Sequence, residues 1–293
     1  MGMDKQTAFQ KILYFFLTKI IICIAVIIGL VVLTEGLGTL LLDKTQLNEN
    51  AKRMIIAVLD SAIALSAYIF LFRAYEKRRI KELSTPTLVE NAIIGCVIGF
   101  ALQSLFVLII FLAGTYSVVH VNPISTLIIP FAFSLAAGFV AEILLYGILF
   151  RLIEEQSGTV IALIFFILLF AVLHINSKRA TFISVCATAV EAGFMLPAAY
   201  IFSRSLWLPI FLHFSWDFAE PGIFGGINPS TSITQGLFVN KITGISLITG
   251  GEAGPQNSLQ ALIVCLLTGP LFLVLAKQKN NFIKPIWQKL PME

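Results

Sequence analysis

Residues 141–151 read AEILLYGILFR and sit inside an apolar run that starts near Ile124. The run is long enough to cross a bilayer, yet it carries an acid, Glu142, and ends on Arg151. An ionised carboxylate at the centre of a membrane helix costs roughly 3 kcal/mol or more, so such residues face a bundle interior and have partners there. The fold therefore turns on whether the rest of the chain supplies a bundle.

Composition says that it does. Of 293 residues, 58% are hydrophobic and 12% charged, whereas a soluble domain carries about a quarter charged residues. Spanning ~30 Å at ~1.5 Å per residue takes about 20 residues. On that measure eight runs are predicted to cross: 12–34, 54–73, 91–114, 124–151, 158–175, 180–202, 206–219 and 258–276. The seventh is short and holds Trp207, Pro209, His213 and Asp217, a pattern shared with interfacial or re-entrant segments. The expected fold class is all-α, a polytopic membrane bundle of about eight transmembrane helices. Lys5 and Lys11 precede the first run, which has no small-x-small cleavage pattern and reads as a retained helix.

Charge placement orients the spans. Lys77, Arg78, Arg79 and Lys81 fall in one loop, and Lys277, Lys279, Lys284 and Lys289 in the C-terminal tail. Segment 115–123 has no Lys or Arg, and the long unpatterned segment 220–257 has Lys241 alone. By the positive-inside rule both termini are expected on the cytoplasmic side of a plasma membrane. The net charge of +4 forms no dense basic patch, so nucleic acid is not a partner, and the lipid bilayer is. The four cysteines (Cys23, Cys96, Cys186, Cys265) are far apart in apolar runs, which fits neither a disulfide framework nor a thiolate metal site.

Ionisable residues inside the runs are the candidates for function. They are Asp60, Glu142, His174, Glu191, His213 and Asp217, and two of the three histidines of the chain are among them. Helical residues four apart share a face, which pairs Glu142 with Tyr146, Phe170 with His174 and His213 with Asp217. Two imidazoles between two carboxylates can activate water: an acid serves as general base, one histidine shares the proton, and the other donates to an oxyanion. Glu142, His174 and His213 are equally a ligand set for a divalent metal such as zinc, although the sequence demands no cofactor. Polar pairs also simply join membrane helices, and for Glu191 and Asp60 that is the preferred reading. Arg151, followed by Glu154 and Glu155, marks the cytoplasmic end of its span, with a side chain long enough to reach the interface.

Three of these fragments fall in an order that resembles the CPBP family of intramembrane proteases. That family includes the type II CAAX prenyl endopeptidases and the bacterial Abi relatives linked to bacteriocin processing and self-immunity. Its motifs run EExxxR, FxxxH and HxxxN or HxxxD. This chain has AEILLYGILFR at the first, FAVLH (Phe170 to His174) at the second and HFSWD (His213 to Asp217) at the third. The resemblance implies a hydrolase that cuts a membrane protein or peptide substrate within the bilayer. It implies that the first motif's glutamate and His174 activate the water. His213 would then steady the oxyanion, with Asp217 orienting it, since an ionised carboxylate accepts and does not donate.

The first motif departs from the family pattern. Ala141 stands where the first glutamate belongs and Tyr146 where the arginine belongs, so Glu142 matches the second glutamate only. Adjacent helix positions point about 100° apart, so on an unrotated helix Glu142 cannot replace the missing acid. A catalytically inert relative, acting in peptide binding or bacteriocin self-immunity, is therefore the alternative. A proton-coupled transporter is a third reading, for which no inverted hydropathy repeat is seen. The expected organisation is N-terminal transmembrane helices over 1–123, a protease-like core over 124–276 and a basic cytoplasmic tail over 277–293.

Overall fold

A computed structural model of the protein describes residues 15–177, 180–225 and 236–288. The first residues of the expected first span, Lys5, Lys11, Lys289 and part of segment 220–257 lie outside the described residues. The helices, in chain order, are α1 (Phe16–Leu42), α2 (Glu49–Ala74), α3 (Thr85–Leu112), α4 (Ile124–Ser157), α5 (Thr159–His174), α6 (Phe182–Ser203), α7 (Trp207–Phe218), the single turn α8 (Ser246–Thr249) and α9 (Leu259–Gln278). Among the described residues, six of them (α1, α2, α3, α4, α6 and α9) are long and apolar enough to cross a membrane. The chain is an all-α, multi-pass membrane bundle. The other two expected spans are present as the shorter helices α5 and α7, of 16 and 12 residues.

Local chemistry sets the breaks. Asn48 caps α2 by accepting the Ala51 amide, and Ser258 caps α9 by accepting that of Ala261; each satisfies an otherwise orphan donor. Thr181 and Ser184 close a reciprocal capping box at the start of α6. Gly158 separates α4 from α5 at φ 82°, a conformation open to glycine, and a Cβ there would also meet Pro285 Cδ at 2.9 Å.

Lipid tails are as apolar as leucine, so helices in a bilayer associate through close contact between small residues. Gly95 and Gly99 lie one turn apart on α3 and face α7. A Cβ on Gly95 would come within 2.7 Å of the Leu208 carbonyl, and one on Gly99 would collide with Ser215 Oγ and the Leu212 carbonyl. Gly138 of α4 approaches α7 from another side, where a Cβ would sit 2.9 Å from the Ile210 carbonyl. The short helix α7 is thus wedged between α3 and α4 at backbone distance, which fixes the height and rotation of its polar residues. A continuous apolar core, with Tyr68, Phe72, Phe106, Phe150, Phe166 and Trp216 fully buried, joins residues from Ile20 to Ala276.

The connecting segments gather at two ends. At one end Arg151 Nη2 is 3.3 Å from Glu76, Arg78 Nη2 is 2.5 Å from Glu82, and Arg204 Nη1 is 2.7 Å from the fully buried Glu154. Arg204 also donates to the Asn281 carbonyl, and the Leu206 amide donates to Glu82 O at 2.8 Å. Burial alone would push the Glu82 carboxyl up. The Arg78 guanidinium and the Tyr68 hydroxyl, 2.5 Å away, outweigh that and hold it below the usual carboxylate range. Arg151 does not reach out to the interface as expected. Its side chain is buried, lies 4.4 Å over the Phe72 ring and also meets Glu155 at 2.5 Å.

At the other end Tyr116–Val121 (β1) pairs antiparallel with Phe238–Ile242 (β2), with a register shift between Val118 and His120. This corrects the plain loops expected over 115–123 and 220–257. The third histidine of the chain, His120, lies on this sheet, paired with Val239.

Candidate active site

Three helices change register beside an acid. In α4 the turns widen into a π-helical stretch, Ile143–Phe150, immediately after Glu142. In α6 a π turn, Glu191–Met195, opens on Glu191 itself. Beyond α7 a third, Ala219–Ile223, contains Glu220. Such turns are rare and are used mostly at functional sites, where they re-aim side chains. The spacing rule that paired Glu142 with Tyr146 assumes α geometry, but here the π register intervenes and the two go to different partners. Tyr146 Oη donates to the Ala192 carbonyl at 2.5 Å, and its fully buried ring packs on Phe150 and Phe166.

Glu142 is 1% exposed, with Oε1 2.7 Å from His213 Nδ1 and Oε2 buried with no hydrogen-bond partner among the described residues. On the far side of the same imidazole, Nε2 lies 3.3 Å from Asp217 Oδ2. His213 therefore bridges two carboxylates, one from α4 and one from its own helix. His174, at the end of α5, has Nδ1 2.9 Å from the Phe170 carbonyl and its ring stacked on Phe170, centroids 6.1 Å apart. A carbonyl only accepts, so Nδ1 carries the hydrogen, and in the neutral ring Nε2 keeps its lone pair.

A cavity of about 510 Å³ joins these groups, lined by Ala141 and Leu145 of α4, Phe170 and His174 of α5, Glu191 of α6, and His213 and Asp217 of α7. Gln256 and Asn257, from the segment before α9, border it as well. Of the residues singled out in the sequence, His174, His213, Asp217, Glu191, Phe170 and Ala141 meet on this one space. Glu142 and Tyr146 do not line it, and Glu142 reaches it through His213. Asp60 is buried on α2, outside this lining, with Oδ1 unpartnered among the described residues.

Among the described residues no group of three or more His, Cys, Asp or Glu side chains is placed to hold a metal ion. Both nitrogens of His213 already face carboxylates, and Nδ1 of His174 faces a carbonyl.

Two residues of the neighbourhood were not singled out in the sequence. Gln103 of α3 donates Nε2 to Glu220 Oε2 at 2.5 Å, both side chains are buried, and the Oε1 atom of each lacks a partner among the described residues. Glu220 also accepts the Gln256 amide at 3.3 Å, and Trp216 Nε1 donates to Gln256 Oε1 at 2.8 Å, which ties this pair to the cavity rim. The available signal was Gln103 itself, an amide in the midst of an apolar run.

Residues 123–219 match the family model described as Rce1-like, type II CAAX prenyl endopeptidase. The matched segment contains all three motif positions and most of the cavity lining, and it supports assignment to the CPBP/CAAX protease family. No curated protein and no solved structure matches the chain.

Proposed function

We propose that this chain, assigned to the CPBP/CAAX protease family through residues 123–219, is an intramembrane endopeptidase that hydrolyses a peptide bond of a membrane-borne substrate. The observation that carries this reading is the meeting of His174 and His213, from two helices, on one cavity of about 510 Å³. His174 Nε2 offers the lone pair that helps take a proton from water. His213 keeps Nδ1 on Glu142 at 2.7 Å, and its Nε2, at the longer 3.3 Å from Asp217, is the donor that turns to the tetrahedral oxyanion. Asp217 acts by orienting His213. The scissile segment is a membrane protein or peptide, and a prenylated CAAX peptide is the first probe to try. Both termini face the cytoplasm of a plasma-membrane protein, which the Lys- and Arg-bearing segments gathered at one end support.

A second reading has its own observation. Ala141 lines the cavity where the family motif carries a glutamate, so that position presents a methyl group instead of a base. On this reading the cavity binds a peptide without cutting it.

Purified protein in liposomes, offered a quenched farnesyl-CAAX peptide and a quenched apolar transmembrane peptide, separates the two readings. Cleavage that drops in His174→Ala supports the protease. Cleavage by His174→Ala at the wild-type rate, or retention of peptide without any cleavage, favours the inert relative.

A further inference from the structure

We propose that Glu191 is the catalytic carboxylate of this site, supplying from α6 the acid that Ala141 no longer supplies from α4; the role rests on the protease reading above. Three carboxylates either contact His213 or line the cavity, and two of them are held to its imidazole. Glu142 Oε1 is 2.7 Å from His213 Nδ1, and Asp217 Oδ2 is 3.3 Å from His213 Nε2. Glu191 lines the cavity, and among the described residues no hydrogen bond or ion pair engages its carboxylate. Of the two acids that line the cavity, Asp217 and Glu191, it is the one with neither oxygen engaged among the described residues, and so the one open to a water molecule.

Backbone geometry delivers it there. Glu191 opens the π turn of α6, and the next residue, Ala192, accepts the Tyr146 hydroxyl through its carbonyl. The tyrosine that replaces the motif arginine thereby pins this turn to α4 beside Ala141 and Leu145. Gly193 lets α5 close on the same turn, since a Cβ there would come within 2.8 Å of both Ile167 Cα and the Phe166 carbonyl. Glu191 thus stands between the helix that lacks the acid and the helix that carries His174. Ala141, with one carbon, leaves the room that a longer side chain arriving from α6 needs. An unengaged carboxylate within a membrane span is costly, and no helix-joining hydrogen bond or ion pair of this one is found among the described residues. The two departures from the motif, Ala141 and Tyr146, and the acid at 191 belong to one rearrangement.

The chemistry closes with water as the sole co-reactant. Glu191 accepts a proton as the water oxygen bonds to the peptide carbonyl carbon, and the C=O π pair moves onto oxygen to give the tetrahedral oxyanion. The oxyanion collapses, the C–N bond breaks, and the proton held by Glu191 passes to the departing amine.

The test uses full-length protein in liposomes with the same two quenched peptides. Glu191→Gln is expected to lower kcat by about 100-fold or more with little change in KM. Glu191→Asp should keep part of the activity, and Ala141→Glu added to Glu191→Gln should restore cleavage by returning a carboxylate to α4. Wild-type rates in Glu191→Gln would overturn the role of Glu191 and leave the protease reading standing. A loss that neither Glu191→Asp nor Ala141→Glu recovers would make Glu191 structural and overturn the role too. Cleavage of neither peptide by the wild type, with none gained in Ala141→Glu, would overturn both the protease reading and the role.

Discussion

Glu76, Glu82 and Glu154, at one end of the bundle, each have a guanidinium within 3.3 Å. Around the cavity the acids Glu142, Asp217 and Glu191 share their space with two imidazoles, and no Lys or Arg is among the described lining residues. Oxygens of Glu142 and Glu220 are buried there with no partner among the described residues. Removing a cation from a buried ion pair is strongly destabilising, since it strands the other charge, and the first region is built to avoid that. The second region leaves acids under-compensated, a condition that costs stability and recurs where carboxylates exchange protons with substrate and water. The first set of acids holds the fold, and on the proposed reading the second set serves the chemistry.

The contrast breaks most sharply at Arg204. Arg204→Met strands the fully buried Glu154 and should cost about 3–5 kcal/mol, read from SDS-induced unfolding in mixed micelles. A loss below about 1 kcal/mol would place this pair with ordinary surface ion pairs and erase the distinction. At the cavity, His213→Gln keeps an amide donor near Glu142. Its stability cost should be only about 1–2 kcal/mol, while peptide cleavage falls by about 100-fold or more. A variant as unstable as Arg204→Met but still cleaving would make His213 a helix-joining residue. The smallest effect concerns pH. The folded-state pKa of Glu82 lies below its unfolded value of about 4.3. Its contribution is therefore complete above that value and is lost as pH falls through the folded pKa. The Tm gap between wild type and Glu82→Gln should narrow as pH is lowered from about 6 to about 3, and a gap that widens would deny the Arg78 pairing its role.

How much of this was legible in the sequence differs between fold and site. Hydropathy located the helices because each long run must bury its backbone in itself within lipid. It counted α5 with the full spans and marked the seventh run, now α7, as short; apolar length says nothing of how closely neighbours must pack, and the Gly95 and Gly99 pair sets the approach of α7. The sheet was invisible because β1 is short and its partner lies more than a hundred residues on, beyond any hairpin signal. His174, His213 and Asp217 could be read from spacing because α5 and α7 keep α geometry through those pairs. Tyr146 could not, since hydrogen-bond register is not written in hydropathy, and the π turn after Glu142 redirects it. Glu191 was set aside as a helix-joining acid for want of knowing which carboxylates His213 would claim.

The shortness of α5 reaches beyond the protein. At 16 residues it extends for about 24 Å, against a hydrocarbon core of about 30 Å. Its outer face, Val160, Ile164, Leu168 and Val172, is exposed, and its last residue is His174. Lipids that meet this face must compress or let their headgroups sink toward the cavity, as happens wherever a hydrophobic stretch is too short. On the protease reading, cleavage is expected to rise in liposomes of shorter acyl chains, which fit this face and bring headgroup water nearer His174.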